Sequence, residues 1–231
     1  MATHLDLEEQ EQLDRLKAFW ERHGNLITAL LVIAAGAYFA WFGWNAWQRS
    51  QGEKAGSMYD ELDRAAQSGD AAVTARIFEQ MRERYPRTAF TEQAGLLAAK
   101  VALDKGQADT ARSTLAWVAD SAVEREYRAV ARLRLAGLLL DEKKYDEALK
   151  QLDGIDAAEF APLADDRRGD IFLAQGNAEQ AKAAYQKAWQ GFDPKVDYRR
   201  FVEAKLNVLG AQGPAPAASA ASAASGAGAK P

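Results

Sequence analysis

Lys143-Lys144-Tyr145-Asp146-Glu147-Ala148-Leu149-Lys150-Gln151-Leu152 is the stretch whose reading decides the fold of this chain. A charged turn opens it, and a small residue, Ala148, stands four positions before a large apolar one, Leu152. On a helix those two share a face one turn apart. A second helix can then approach closely at the alanine while the leucine fills the space beside the crossing. The same arrangement returns after Gly69 with Thr74 and Phe78, after Gly106 with Ala111 and Leu115, and after Gly176 with Ala181 and Tyr185. A third member follows each pair as Met81, Val118, Ile155 and Ala188. Turn signals at Gly69-Asp70, Lys105-Gly106-Gln107, Glu142-Lys143-Lys144 and Gly176-Asn177 cut residues 52–210 into helices of about 12 to 16 residues. Those cuts recur at 33 to 37 residues, the period of stacked helical hairpins. No run of alternating strand pattern interrupts the three-and-four spacing of apolar residues, so the expected fold class is all-α.

The four blocks resemble the tetratricopeptide repeat, whose hairpins carry this small-then-large spacing and often end in a proline, matched here by Pro86. The block from Ala131 to Ile155 is the nearest match, with Leu135, Ala136 and Leu139 on its first helix. Departures are that no first helix carries the family's Trp, that the first block lacks its Gly, and that the spacing wanders from 34. Tyr198 to Leu209 reads as a terminal helix covering the last hairpin, as the end of a solenoid requires.

Upstream of the repeats, Leu26 to Trp47 contains no Asp, Glu, Lys or Arg. At about 1.5 Å per residue it reaches roughly 33 Å, enough to cross a hydrocarbon core of about 30 Å. A cleavable signal peptide is disfavoured by the length, by the acidic residues before it, and by bulky Trp44, Trp47 and Gln48 where a small-x-small site would lie. Phe19 and Trp20 before the span, and Trp41, Trp44 and Trp47 at its far end, suit the two headgroup layers. Ala29, Gly36, Ala40 and Gly43 put small side chains on one face, where another membrane helix can approach, although such residues are common in spans generally. Arg15, Lys17 and Arg22 before the span are balanced by Arg49, Lys54 and Arg64 after it, so charge alone does not orient it.

The expected organisation is a leader at 1–23, a transmembrane helix at 24–48, a repeat domain at 49–209 and a disordered Ala/Ser/Gly/Pro tail at 210–231. The leader carries its own helix signal, with Asp6 as N-cap, Glu9 three residues on, and Leu13, Leu16 and Trp20 on one face. A net charge of −4 with both signs interspersed offers no basic field for nucleic acid. The chain has no cysteine, and both histidines, His4 and His23, precede the repeats. Thiol and imidazole chemistry is therefore absent from the repeat domain, and no Gly-rich phosphate loop appears, so no catalytic residue, metal or cofactor is expected. Asp165 and Asp166 are the carboxylate pair an anchored hydrolase would use; on so charged a helix they read as a solvated face. Arg168-Gly169-Asp170 spells an adhesion tripeptide, but inside a helix its glycine is better explained by close packing. What is left is surface. Stacked hairpins line their concave side with first-helix residues, here Tyr59, Asp63, Leu96, Lys100, Leu133, Leu140, Asp166, Asp170 and Leu173.

Residues 10–209 as a whole resemble the YfgM family of bacterial inner-membrane proteins. The likeness rests on Phe19-Trp20, the Trp44-Asn45 exit and the stretch Ala164-Asp-Asp-Arg-Arg-Gly-Asp-Ile-Phe-Leu-Ala-Gln-Gly-Asn-Ala-Glu-Gln-Ala-Lys-Ala-Ala-Tyr185; the tail lies outside it. The resemblance implies a single-pass protein with a cytoplasmic N-terminus and a periplasmic repeat domain. It implies an ancillary, non-enzymatic subunit of the SecYEG translocon, partnered by the translocon, a PpiD-like periplasmic chaperone and newly translocated polypeptides. A tethered scaffold for envelope or cytochrome assembly is the alternative within binding proteins.

Overall fold

The computed structural model describes residues 7–210, with side chains described from Leu13 onward apart from Leu16. Asp6, the side chains of Glu9 and Leu16, and the tail at 211–231 lie outside the described residues. Every regular element among the described residues is helical. These are α1 (Leu7–Gln67), α2 (Ala71–Arg84), α3 (Ala89–Asp104), α4 (Ala108–Ser121) and α5 (Arg125–Asp141). They continue as α6 (Tyr145–Asp153), a 3-10 turn (Ala158–Phe160), α7 (Ala161–Ala174), α8 (Ala178–Gly191) and α9 (Tyr198–Val208). The chain forms two compact units that divide between Lys54 and Ala55.

In the first unit α1 is long and apolar enough to cross a membrane, and its most apolar window has none of its residues buried. Leu26, Ile33, Phe39, Trp41, Trp44 and Trp47 all stand exposed, as a lipid-facing helix requires. Ala29, Gly36, Ala40 and Gly43 are exposed as well, and a Cβ added at Gly36 or Gly43 would meet nothing within 4 Å. Gly24 differs: the Trp20 indole folds over it, and an added Cβ would lie 3.1 Å from Nε1.

In the second unit the hairpins are delimited by local chemistry. Asp70 caps α2 by accepting from the Val73 N–H at 3.0 Å, and the Thr88 hydroxyl caps α3 by accepting from the Thr91 N–H at 3.3 Å. The first helix of each hairpin ends in a left-handed turn, at Gly69, Gly106, Lys143 and Gly176, with φ of 71°, 74°, 59° and 80°. Glycine adopts that conformation without a Cβ penalty, and Lys143 does so with one.

The small-then-large pairs form the core. Thr74, Phe78, Ala111, Leu115, Ala148, Leu152, Ala181 and Tyr185 are all buried, as are Met81, Val118 and Ala188. Glycines receive the large members: a Cβ on Gly95 would lie 2.5 Å from the Val118 Cγ2 and 3.0 Å from Phe78, and one on Gly169 would lie 2.3 Å from the Tyr185 ring. That contact, rather than adhesion, accounts for the glycine between Arg168 and Asp170.

The block nearest the repeat pattern in sequence is the least regular in structure. Its second helix, α6, stops at Asp153 after nine residues, and Ile155 lies beyond it, half-buried against the core. At Gly154 the Arg132 guanidinium occupies the space a Cβ would need, 1.5 Å from Nη1, and the chain passes through a 3-10 turn before Pro162 opens α7.

Helix α9 closes the stack. Val202 and Leu206 pack on Ala181, Tyr185 and Ala188. It ends at Gly210 in the same left-handed turn, φ 69°, as the four first helices. Seven residues before that turn α3, α5 and α7 carry Ala99, Ala136 and Gly169, and Gly169 is where α8 seats its Tyr185. In α9 the position is Glu203.

Candidate functional site

The left-handed turns give the first helices a common register. Ten and six residues before each turn stand Tyr59 and Asp63, Leu96 and Lys100, Leu133 and Gly137, and Asp166 and Asp170; three before stand Leu103, Leu140 and Leu173 on α3, α5 and α7. These positions form one face, with different properties along its length.

At the α1 end the face is aromatic and acidic. The Tyr59 and Phe90 rings are 6.0 Å apart, and Asp63 accepts from the Gln67 amide at 2.7 Å. The Tyr59 phenol is held above its usual pKa by burial first, then by Asp63, Tyr127 and Asp60. Gln93 donates to the Tyr127 hydroxyl, carrying the polar network onto α5.

In the middle the face is apolar with cations at its edge. Leu96 is nearly buried, and Leu133 and Leu140 pack half-buried on the core. Lys100 is exposed and pairs with Asp104 at 2.7 Å. The Arg134 guanidinium reaches from α5 to donate to the Leu96 carbonyl at 3.0 Å. Together Lys100, Leu103, Asp104 and Arg134 edge a shallow cleft of about 190 Å³ floored by Ala99 and Leu115.

At the far end Asp166 and Asp170 are bound up in structure. Lys205 of α9 donates to Asp166 Oδ1 at 2.8 Å and to Asp170 Oδ1 at 2.7 Å. The Tyr198 hydroxyl donates to Asp166 Oδ2 and the Tyr185 hydroxyl to Asp170 Oδ1, each at 2.8 Å. Burial and the carboxylate it donates to push the Tyr198 phenol up to about 12 and raise that of Tyr185 as well. Asp165, the other half of the carboxylate pair, faces elsewhere and is buried against Arg168 at 2.8 Å and Lys187 at 3.1 Å. Each acid is neutralised by its own cation, so the two do not converge on a shared reacting point.

The sequence reading did not include Phe90, Gln93, Leu103, Tyr127 and Arg134. Gln93, Leu96, Lys100 and Leu103 follow one helical stripe at three-and-four spacing, so extending the stripe by one turn in each direction finds two of them. Phe90, Tyr127 and Arg134 give no such signal, because their place depends on how neighbouring helices meet.

A model of the tetratricopeptide repeat-like domain matches residues 17–211. An ancillary SecYEG translocon subunit of Neisseria gonorrhoeae is 32% identical over 211 residues, covering 90% of this chain and 100% of that one. The chain belongs to this family of tetratricopeptide repeat-like ancillary translocon subunits. Relatives of the same name from Haemophilus influenzae, 27% identical over 80% of this chain and 90% of theirs, and from Escherichia coli, 26% identical over 87% and 96%, extend the likeness. The family match runs through both the apolar helix and the hairpins.

Proposed function

We propose that this protein is a non-enzymatic ancillary subunit of the SecYEG translocon that holds newly translocated polypeptide segments on its first-helix face. The single observation that carries the association is the match to the Neisseria relative over that protein's whole length, which includes the apolar helix. In this reading residues 24–48 span the inner membrane, residues 1–23 are cytoplasmic, and residues 49–209 stand in the periplasm. The face of Ala29, Gly36, Ala40 and Gly43 docks on a membrane helix of the translocon, since small residues allow close backbone approach in lipid.

The groove reading rests on chemistry. Tyr59, Phe90, Leu103, Leu140 and Leu173 offer apolar contact, while Gln93, Lys100 and Arg134 offer donors beside it. An extended chain needs both, because its side chains want apolar surface and its carbonyls want donors. A PpiD-like chaperone is the periplasmic partner that would receive or deliver such segments. Purification of the full chain from gently solubilised membranes should recover SecY, SecE and SecG together with a periplasmic chaperone. Recovery of none of them would overturn the proposal.

A further inference from the structure

In the first turn of α3 stands Glu92, a carboxyl with no exposed surface. Its Oε1 accepts from the Val123 N–H at 2.6 Å, and its Oε2 has no partner. A carboxylate this deep is costly unless both oxygens are satisfied. The hydroxyls nearest in sequence are committed elsewhere, since Thr91 donates to the Tyr85 carbonyl at 2.8 Å and Thr88 to the same carbonyl at 3.1 Å. One turn to either side on α3 stand Thr88 and Leu96, so its own helix supplies no countercharge there.

Val123 belongs to the connection between α4 and α5, and Glu92 is one of two side chains that hold it. Arg128 is the other, donating to the Ala122 carbonyl at 2.9 Å and the Val123 carbonyl at 3.0 Å, and reaching Asp156 at 3.3 Å. Ala122 is buried on the core while Val123 is exposed, so the connection lies between core and water. Of the charged groups that bear on the Glu92 carboxyl, Glu124 opposes its ionisation and Arg128 favours it. At the end of α4, Asp120 is turned to Arg132 at 3.7 Å. Burial is the largest influence and raises the Glu92 pKa, against the Val123 and Glu124 N–H groups.

We propose that Glu92 is a proton-operated latch on the α4–α5 connection. Protonated, it buries no charge, still accepts from Val123 and keeps the connection closed on α3. When the proton leaves to solvent, the closed form traps a carboxylate with one oxygen unmet, and the connection opens at Val123 and Glu124 so that water reaches it. Tyr127 carries the change to the first-helix face: it stands in the first turn of α5 and its hydroxyl accepts from the Gln93 amide, so an open connection loosens the aromatic end of that face.

Hydrogen exchange of the full chain in lipid nanodiscs reads the latch, with each amide's rate divided by its rate in an unstructured chain at the same pH. From about pH 4 to about pH 7 the Val123 and Glu124 amides should lose protection severalfold, while the Leu115 amide in the middle of α4 keeps its own. The sign follows from the raised pKa: the closed form has its full stability below the usual carboxylate range and loses it as pH rises through the folded value. Glu92→Gln has the same shape and no proton to lose, and should flatten the profile. Glu124→Gln, at an exposed position, removes the like charge and should shrink the loss of protection; it decides the matter if Glu92→Gln does not fold. A flat profile in the unaltered protein, protection that rises with pH, or a loss that persists in full in either variant would overturn the proposal.

Discussion

The joint around Phe78 and the joint around Asp166 hold successive hairpins together by opposite means. At the first, Phe78 and Val118 close on Gly95, with the Trp117 ring edge-on to Phe78 at 5.5 Å, and cohesion comes from apolar burial and fit. At the second, Asp166 and Asp170 meet Lys205, Tyr185 and Tyr198 under partial cover, and cohesion depends on charge staying matched. The first joint responds to pH only through Glu92, while the second fixes α9 on the stack and responds to alkali.

The largest way to break the contrast is Phe78→Ala, expected to cost about 3–5 kcal/mol through the cavity it leaves, read by urea unfolding of the full chain in mild detergent. Asp166→Ala should cost about 2–3 kcal/mol, because Lys205 keeps partial access to water and a second acid in Asp170. Its signature is faster hydrogen exchange across α9 with α2 and α3 unchanged. Gly169→Ala drives a methyl into the Tyr185 ring. Overpacking of about 1–3 kcal/mol less the roughly 1 kcal/mol gained in helix propensity should leave a net loss near 1 kcal/mol in a thermal melt.

The smaller effects are in the pH profile. The folded pKa of Tyr198 is raised from 10.0 to about 12, so the folded state keeps that proton longer than the unfolded chain. The stability it contributes is fully present below pH 10 and lost as pH rises toward about 12. Tyr198→Phe should remove that alkaline slope. At the apolar joint Glu92 is buried, accepts from the Val123 N–H at 2.6 Å, and leaves its Oε2 without a partner. Burial raises its pKa against the lowering effect of those backbone donors. Its contribution is therefore greatest below the usual carboxylate range and falls as pH rises through the folded pKa. Glu92→Gln keeps an acceptor for Val123, and its unfolding midpoint should drop less between pH 4 and pH 7 than that of the unaltered protein.

Much of this was legible in the residues. The hairpins followed from Ala148 and Leu152 and their three counterparts, because a small-then-large pair on one face is the packing itself. The end of α6 at Asp153 was not legible in the three-and-four spacing, which runs on to Ile155 beyond the helix. The first-helix register could be counted from Tyr59 to Leu173, yet the engagement of Asp166 and Asp170 by Lys205 requires α9 to be folded back on the stack. Local periodicity fixes which face a residue takes, and long-range pairing decides whether that face is open.

The most direct test of the account is photocrosslinking in living cells during translocation, with a photoreactive residue at Lys100 or Leu140 on the first-helix face and at Glu179 on a second helix as control. Newly translocated polypeptide should be labelled from Lys100 and Leu140 and not from Glu179. Equal labelling from all three, or labelling from Glu179 alone, would contradict the assignment of the first-helix face as the polypeptide-holding surface.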